Sequence, residues 1–155
     1  MIKATDRTLR QLVYDGICRY GWDADLNYID TSAVTDIEFL FSWCNFNGDI
    51  SKWDTSNVIY MKQMFYHNHS FNGDISSWDV SKVKDTSFMF FCCDKFNQPL
   101  DRWKLNKDVY MTAMFSYSNY NQTIVWDVDI KNLFGRDYDD YLERQKLNLM
   151  YSLLY

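Results

Sequence analysis

Apolar positions along this chain recur as a block, at intervals of about 25 residues. Phe46 begins FNGDISKWDTSNVIYMKQMFYHNHS, Phe71 begins FNGDISSWDVSKVKDTSFMFFCCDK, and Phe96 begins FNQPLDRWKLNKDVYMTAMFSYSN. These units span 46–70, 71–95 and 96–119. A degenerate unit, 22–45, precedes them, with Trp22, Leu26, Ile29 and Leu40-Phe41 in the places of Phe46, Ile50, Trp53 and Met64-Phe65. A partial unit, YNQTIVWDVDIKNLF, starts at Tyr120, is one residue short before Trp126, and loses register after Ile130.

Within a unit, Ile75, Trp78 and Val80 keep an apolar-x-x-apolar-x-apolar spacing, as do Ile50, Trp53, Thr55 and Leu100, Trp103, Leu105. The alternation around Trp-Asp-Val predicts a short strand. Val58, Met61, Met64 and Phe65 follow at steps of three and four, which predicts one or two helical turns, with Asp85 as a cap in the next unit. Such a unit cannot bury its own apolar edge, so neighbours must cover it. The expected fold is therefore an α/β solenoid. It is a leucine-rich-repeat-like stack of four to five coils, each a short strand plus a short helix.

Both ends read as caps. Thr5 or Asp6 is expected to open a helix carrying Leu9, Leu12, Val13, Ile17 and Tyr20, with Gly21 as its stop. Asp137, Asp139, Asp140 and Glu143 precede Arg144 and Lys146 at the other end, an order that suits the helix dipole. The expected organisation is one repeat domain over 1–155: a cap helix in 1–21, coils in 22–134 and a cap helix in 135–155.

Composition sharpens this. Aromatic residues make up 19% of the 155 positions, so much of the core must be ring packing. Of 21 acidic residues, all but Glu38 and Glu143 are Asp, which favours turns and caps over helix interiors. The net charge of −5 argues against a phosphate-backbone binder, so no direct nucleic-acid contact is expected. No run of about 18 apolar residues and no leader-like apolar segment occurs, so no membrane partner is expected. Cys18, Cys44, Cys92 and Cys93 form no disulfide framework, which points to a reducing, cytoplasmic setting.

The units FNGDISSWDVSKV and SFMF resemble the repeats of BspA-like bacterial surface proteins, also catalogued as Listeria- and Mycoplasma-type lipoprotein repeats. The resemblance covers residues 22 to 130. It implies a leucine-rich-repeat-like fold used in protein contacts, and it brings no catalytic motif.

Polar columns supply the candidate site. Asp30, Asp54, Asp79 and Asp127 align, broken by Lys104. Beside them run Lys52, Ser77, Arg102 and Ser56, Ser81, Asn106, Asp129. On a solenoid these positions stack about 4.8 Å apart along the strand side. The binding set is Lys52, Asp54, Ser56, Asp79, Ser81, Arg102, Lys104, Asn106, Asp127 and Asp129. The competing reading is local, with each Asp bonding its own turn. Asn47, Asn72, Asn97 and Asn121 read as a buried ladder that satisfies backbone groups.

Cys44, His67, His69, Cys92 and Cys93 share one edge, which raises zinc, but no paired-cysteine spacing supports it. Calcium would need a dedicated oxygen loop, which is missing. No cofactor is expected. No nucleophile elbow, phosphate loop or metalloprotease motif occurs, so no enzyme is expected. The C-terminal stretch Leu147, Leu149, Met150, Tyr151, Leu153, Leu154, Tyr155 is apolar on more than one side. This calls for a second contact, either a homodimer or a protein partner. Tyr60, Tyr110 and Tyr117 are candidate interface anchors. The leading expectation is a protein-binding module acting through the strand-side face. Its alternatives are a small acidic inhibitor of a nucleic-acid-handling or defence enzyme, and an adhesin or carbohydrate-binding module.

Overall fold

A computed structural model describes residues 1–154, apart from the side chains of Tyr151 and Leu154. The expectations for Tyr151, Leu154 and Tyr155 fall outside the described residues. In chain order the elements are β1 (Ile2–Lys3), α1 (Leu9–Tyr20), β2 (Ile29–Asp30), α2 (Ile130–Phe134) and α3 (Tyr138–Leu154), with a 3-10 turn over Gly135–Asp137. The strands β1 and β2 pair in parallel, Ile2 with Ile29 and Lys3 with Asp30.

This overturns the expected α/β solenoid. The described residues hold two strands of two residues each in one small sheet, and neither a strand nor a helix recurs from unit to unit. The leucine-rich-repeat-like coil of strand plus helix is not built. Two physical causes are visible. Where a strand was expected, Trp53 and Trp78 donate their backbone N–H to Ile50 and Ile75 three residues earlier, closing turns that a strand forbids. Where helical turns were expected, Gln63 and His67 have φ of +54°. A left-handed residue breaks the helical bonding pattern.

The same positions repeat the conformation in other units: Phe39, Phe88 and Ala113 match Gln63, while Trp43, Cys92 and Tyr117 match His67. The result is a run of tight turns. Met64, Tyr66 and Asn68 donate to the carbonyls of Met61, Gln63 and Phe65 three residues back. The alternate amides, of Met61, Gln63, Phe65 and His67, donate instead to Asp85, Ser87, Met89 and Phe91 of the following unit. These backbone N–H groups thus find partners without regular secondary structure.

The core is a ring stack. Phe41 lies 4.1 Å from Phe46, Phe65 lies 3.9 Å from Phe71, Phe90 lies 3.9 Å from Phe96, and Phe115 lies 4.0 Å from Tyr120. These pairs face one another across units at 5.5–5.6 Å. Tyr141 of α3 extends the stack, 4.0 Å from Phe134. Trp53, Trp78 and Trp103 are buried, and each indole N–H donates to a carbonyl of the preceding unit: Leu26, Ile50 and Ile75.

The ends are sealed in unlike ways. Gly21 follows α1 with φ +86°, a value open to glycine. Asp6 does not open α1; its carboxylate accepts from the Thr35 N–H and hydroxyl at 2.7 and 2.8 Å and ties the N-terminal segment to the first unit. At the other end Asp129 caps α2 by accepting from the Lys131 N–H. The carbonyls of Asn132 and Leu133 then accept from Ala113 and Phe115, replacing a following unit.

Candidate functional site

The polar columns lie beside turns rather than strands. Asp54, Asp79 and Asp129 accept from the N–H of Ser56, Ser81 and Lys131 two residues on, at 3.0, 3.0 and 3.1 Å. Asn106 does the same for Asp108 at 3.1 Å. Bonds from the Ser81 hydroxyl and N–H hold the Asp79 carboxyl below its ordinary range. Lys52, Arg102, Lys104 and Asp127 are exposed, and Ser56 is half-buried. Lys52 donates its backbone N–H to Asn27 Oδ1 at 2.8 Å. Each column carboxylate so bonded is occupied within its own turn.

The Asn ladder exists, but on the surface. Asn72, Asn97 and Asn121 each donate a backbone N–H to Oδ1 of the preceding Asn, at 2.8–2.9 Å. Asn47, Asn72 and Asn97 are exposed and Asn121 is half-buried, so the expected burial is corrected. Gln145 of α3 ends the ladder, donating to the carbonyl of Asn121 at 3.0 Å.

The Cys/His edge resolves into separate contacts. His69 Nδ1 meets Asp94 at 2.8 Å. Cys44 and Cys93 thiols donate to the carbonyls of Phe41 and Phe65 at 3.1 and 2.8 Å. Burial pushes the Cys44, Cys92 and Cys93 thiols up. Among the described residues, no three of His, Cys, Asp and Glu converge at metal-ligand reach.

What the sequence did not single out is an aromatic strip along this same edge. Trp43 lies flat on His67, with centroids 4.0 Å apart and planes at 4°. Tyr66 stacks on Phe91 at 5.0 Å, and Phe91 meets Tyr117 edge-on at 5.1 Å. Phe88 adjoins Phe91 at 5.8 Å. Trp43 is 70% exposed, Tyr117 51% and Phe39 43%.

Several of these rings stand on left-handed residues: Phe39, Trp43, His67, Phe88 and Tyr117. A bulky side chain there costs about 1–2 kcal/mol where glycine or asparagine would cost little. Burial does not offset that cost at Trp43. The available signal was the one variable turn of the repeat, which reads Trp43, His67, Cys92, Tyr117 with no glycine. The positive φ that gives this turn its meaning has no mark in the sequence.

Tyr60 and Tyr110 are also outward, 43% and 70% exposed, in a column where Asp36, Tyr60, Asp85 and Tyr110 bridge in succession. Trp53, Trp78 and Trp103 are buried, which withdraws the row of exposed tryptophans that a sugar-binding module would present. No helix among the described residues is long and apolar enough to cross a membrane.

Fold and surface together define a repeat protein built from turns, with a ring-stacked core and an aromatic outer edge. The chain belongs to the family described as "Mycoplasma protein of unknown function, DUF285", which matches residues 13–126. No curated protein and no solved structure matches it.

Proposed function

We propose that this chain is a non-catalytic protein-binding module of the BspA-like kind, working in a bacterial cytoplasm and holding a partner protein against its aromatic turn edge. The observation that carries this reading is Trp43. It is large, mostly exposed, and seated in a left-handed conformation that folding alone disfavours. Rings of this kind are the usual anchors of protein interfaces. The polar columns are secondary in this reading, because Asp54 and Asp79 already serve their own turns. The raised thiols of Cys44, Cys92 and Cys93 argue against thiolate chemistry at those three positions.

Affinity capture from host lysate tests the proposal. The wild-type chain should enrich a protein that the double variant Trp43→Asn/Tyr117→Asn loses, and that charge reversal at Asp54 and Asp79 retains. Enrichment of nothing contradicts the proposal, as does loss on charge reversal with retention by the aromatic variant.

A further inference from the structure

Two members of the Asn ladder, Asn47 and Asn72, are each followed by glycine. Both Asn side chains are exposed. In such a pair the glycine nitrogen can close on the Asn side-chain carbon, because no Cβ crowds the approach. Asn97 and Asn121 are followed by Gln98 and Gln122, whose side chains stand beside the attacking nitrogen.

The ladder activates one of these pairs more than the other. Asn72 Oδ1 accepts from the Asn97 N–H at 2.9 Å, and Asn47 Oδ1 accepts from the Asn72 N–H at 2.9 Å. Attack on the side-chain carbon drives negative charge onto that oxygen, and a fixed N–H aimed at it stabilises the charge as it develops. Both pairs have this help. Gln98 Nε2 adds a bond at Asn72 alone of the two, donating to its backbone carbonyl at 3.0 Å. That carbonyl shares a conjugated peptide bond with the Gly73 nitrogen, so a hydrogen bond at the oxygen makes the Gly73 N–H more acidic. For Asn47 the matching place in the next unit is Gly73, which has no side chain to donate. Asn97 receives the same bond from Gln122 at 3.0 Å, but no glycine follows it.

Room to react separates the pairs again. Gly48 is buried, and a Cβ there would lie 2.0 Å from the Ala24 carbonyl, which also accepts the Asp49 N–H at 3.1 Å. Gly73 is half-buried, with its nearest backbone neighbour at 3.4 Å. Ring closure swings the glycine nitrogen toward the side chain, and the segment clamped under Ala24 resists that movement.

We infer that Asn72 is a self-modification site, at which the fold promotes deamidation through attack of the Gly73 nitrogen. The Gly73 nitrogen loses its proton to solvent and bonds to Asn72 Cγ. The bond from Cγ to Nδ2 breaks and ammonia leaves, giving a cyclic imide. Water then opens the imide at one of its two carbonyls, to aspartate or to isoaspartate. Either product adds one negative charge. Aspartate keeps an oxygen for the Asn97 N–H. Isoaspartate moves a carbon into the main chain and displaces that oxygen, which breaks the ladder between two units. The site does not depend on what the turn edge binds.

Peptide mapping by mass spectrometry tests it on the whole folded chain, aged in mildly alkaline buffer, with fragmentation that separates aspartate from isoaspartate. Asn72 should convert severalfold faster than Asn47, while Asn97 and Asn121 persist. In denaturant Asn47 and Asn72 should react at the same rate, because the fold alone distinguishes them. Gln98→Leu, folded by circular dichroism, should slow Asn72 severalfold and leave Asn47 unchanged. An Asn47 that keeps pace with Asn72 in the folded chain overturns the inference. So does an Asn72 that persists as long as Asn97, or one whose rate Gln98→Leu does not change.

Discussion

Asp79 shows how a surface acid is used in this chain. Its carboxylate takes the Ser81 N–H and hydroxyl and is held below its usual range as a result. Asp49 and Asp74 are held low in the same way by Ser51 and Ser76. A carboxyl whose folded value is depressed stabilises the fold fully above its unfolded value of about 4. That contribution is lost as pH falls through the lower folded value. The urea midpoint should therefore be flat near neutrality and fall below about pH 4.

Asp79→Asn should be nearly silent at pH 7, as Asn106 already makes this turn bond, and should lose less stability in acid. Asp79→Ala should cost about 1 kcal/mol at neutral pH. Chemical denaturation at two pH values checks all three outcomes. Gly48 is a different residue-scale case. A Cβ there would lie 2.0 Å from the Ala24 carbonyl, so Gly48→Ala forces two backbones apart. At Gly73 the nearest backbone is 3.4 Å away, and the third unit carries Gln98 in that place. Thermal melts should show a clear loss for Gly48→Ala and a smaller one for Gly73→Ala. The abundance of Asp made the turns legible in the sequence. The close approach at Gly48 was not, because nothing local distinguishes it from Gly73.

The elements were legible in part. The period and the first terminal helix follow from apolar spacing, because that spacing reports which residues are buried; the ring-rich core follows from the aromatic content and the last helix from its acid-before-base order. Phe71 is representative: it is fully buried and stacks on Phe65, Phe46 and Phe96. Phe71→Ala should cost about 3–5 kcal/mol, read as a shift in the denaturant midpoint. The strand-plus-helix content was misread, because the same spacing serves a chain of turns. Steps of three and four at Met61, Met64 and Phe65 match helical turns and tight turns equally well. Left-handed backbone at Gln63 and His67 decides between them, and neither residue type announces it. Loss of register in the last unit was legible as one missing residue before Trp126. In the structure the Trp126 indole N–H is buried without a hydrogen-bond partner, whereas those of Trp53, Trp78 and Trp103 each find a carbonyl.

For the whole molecule, the division is between what repeats and what differs. The repeated Phe, Trp and Asn positions bond one unit to the next and are consumed by the fold. The turn position that changes between units reads Trp43, His67, Cys92 and Tyr117, with Trp43 and Tyr117 exposed, and it is there that the proposed function puts the partner. The account holds that this edge is kept for contact and not for stability, and Trp43→Asn tests that most directly. Relief of left-handed strain, about 1–2 kcal/mol, and loss of an exposed stack, about 0.5–1.5 kcal/mol, oppose each other. Equilibrium denaturation should therefore place Trp43→Asn within about 1 kcal/mol of the wild type. A loss of about 3 kcal/mol or more, the size expected for a core ring, would contradict the account.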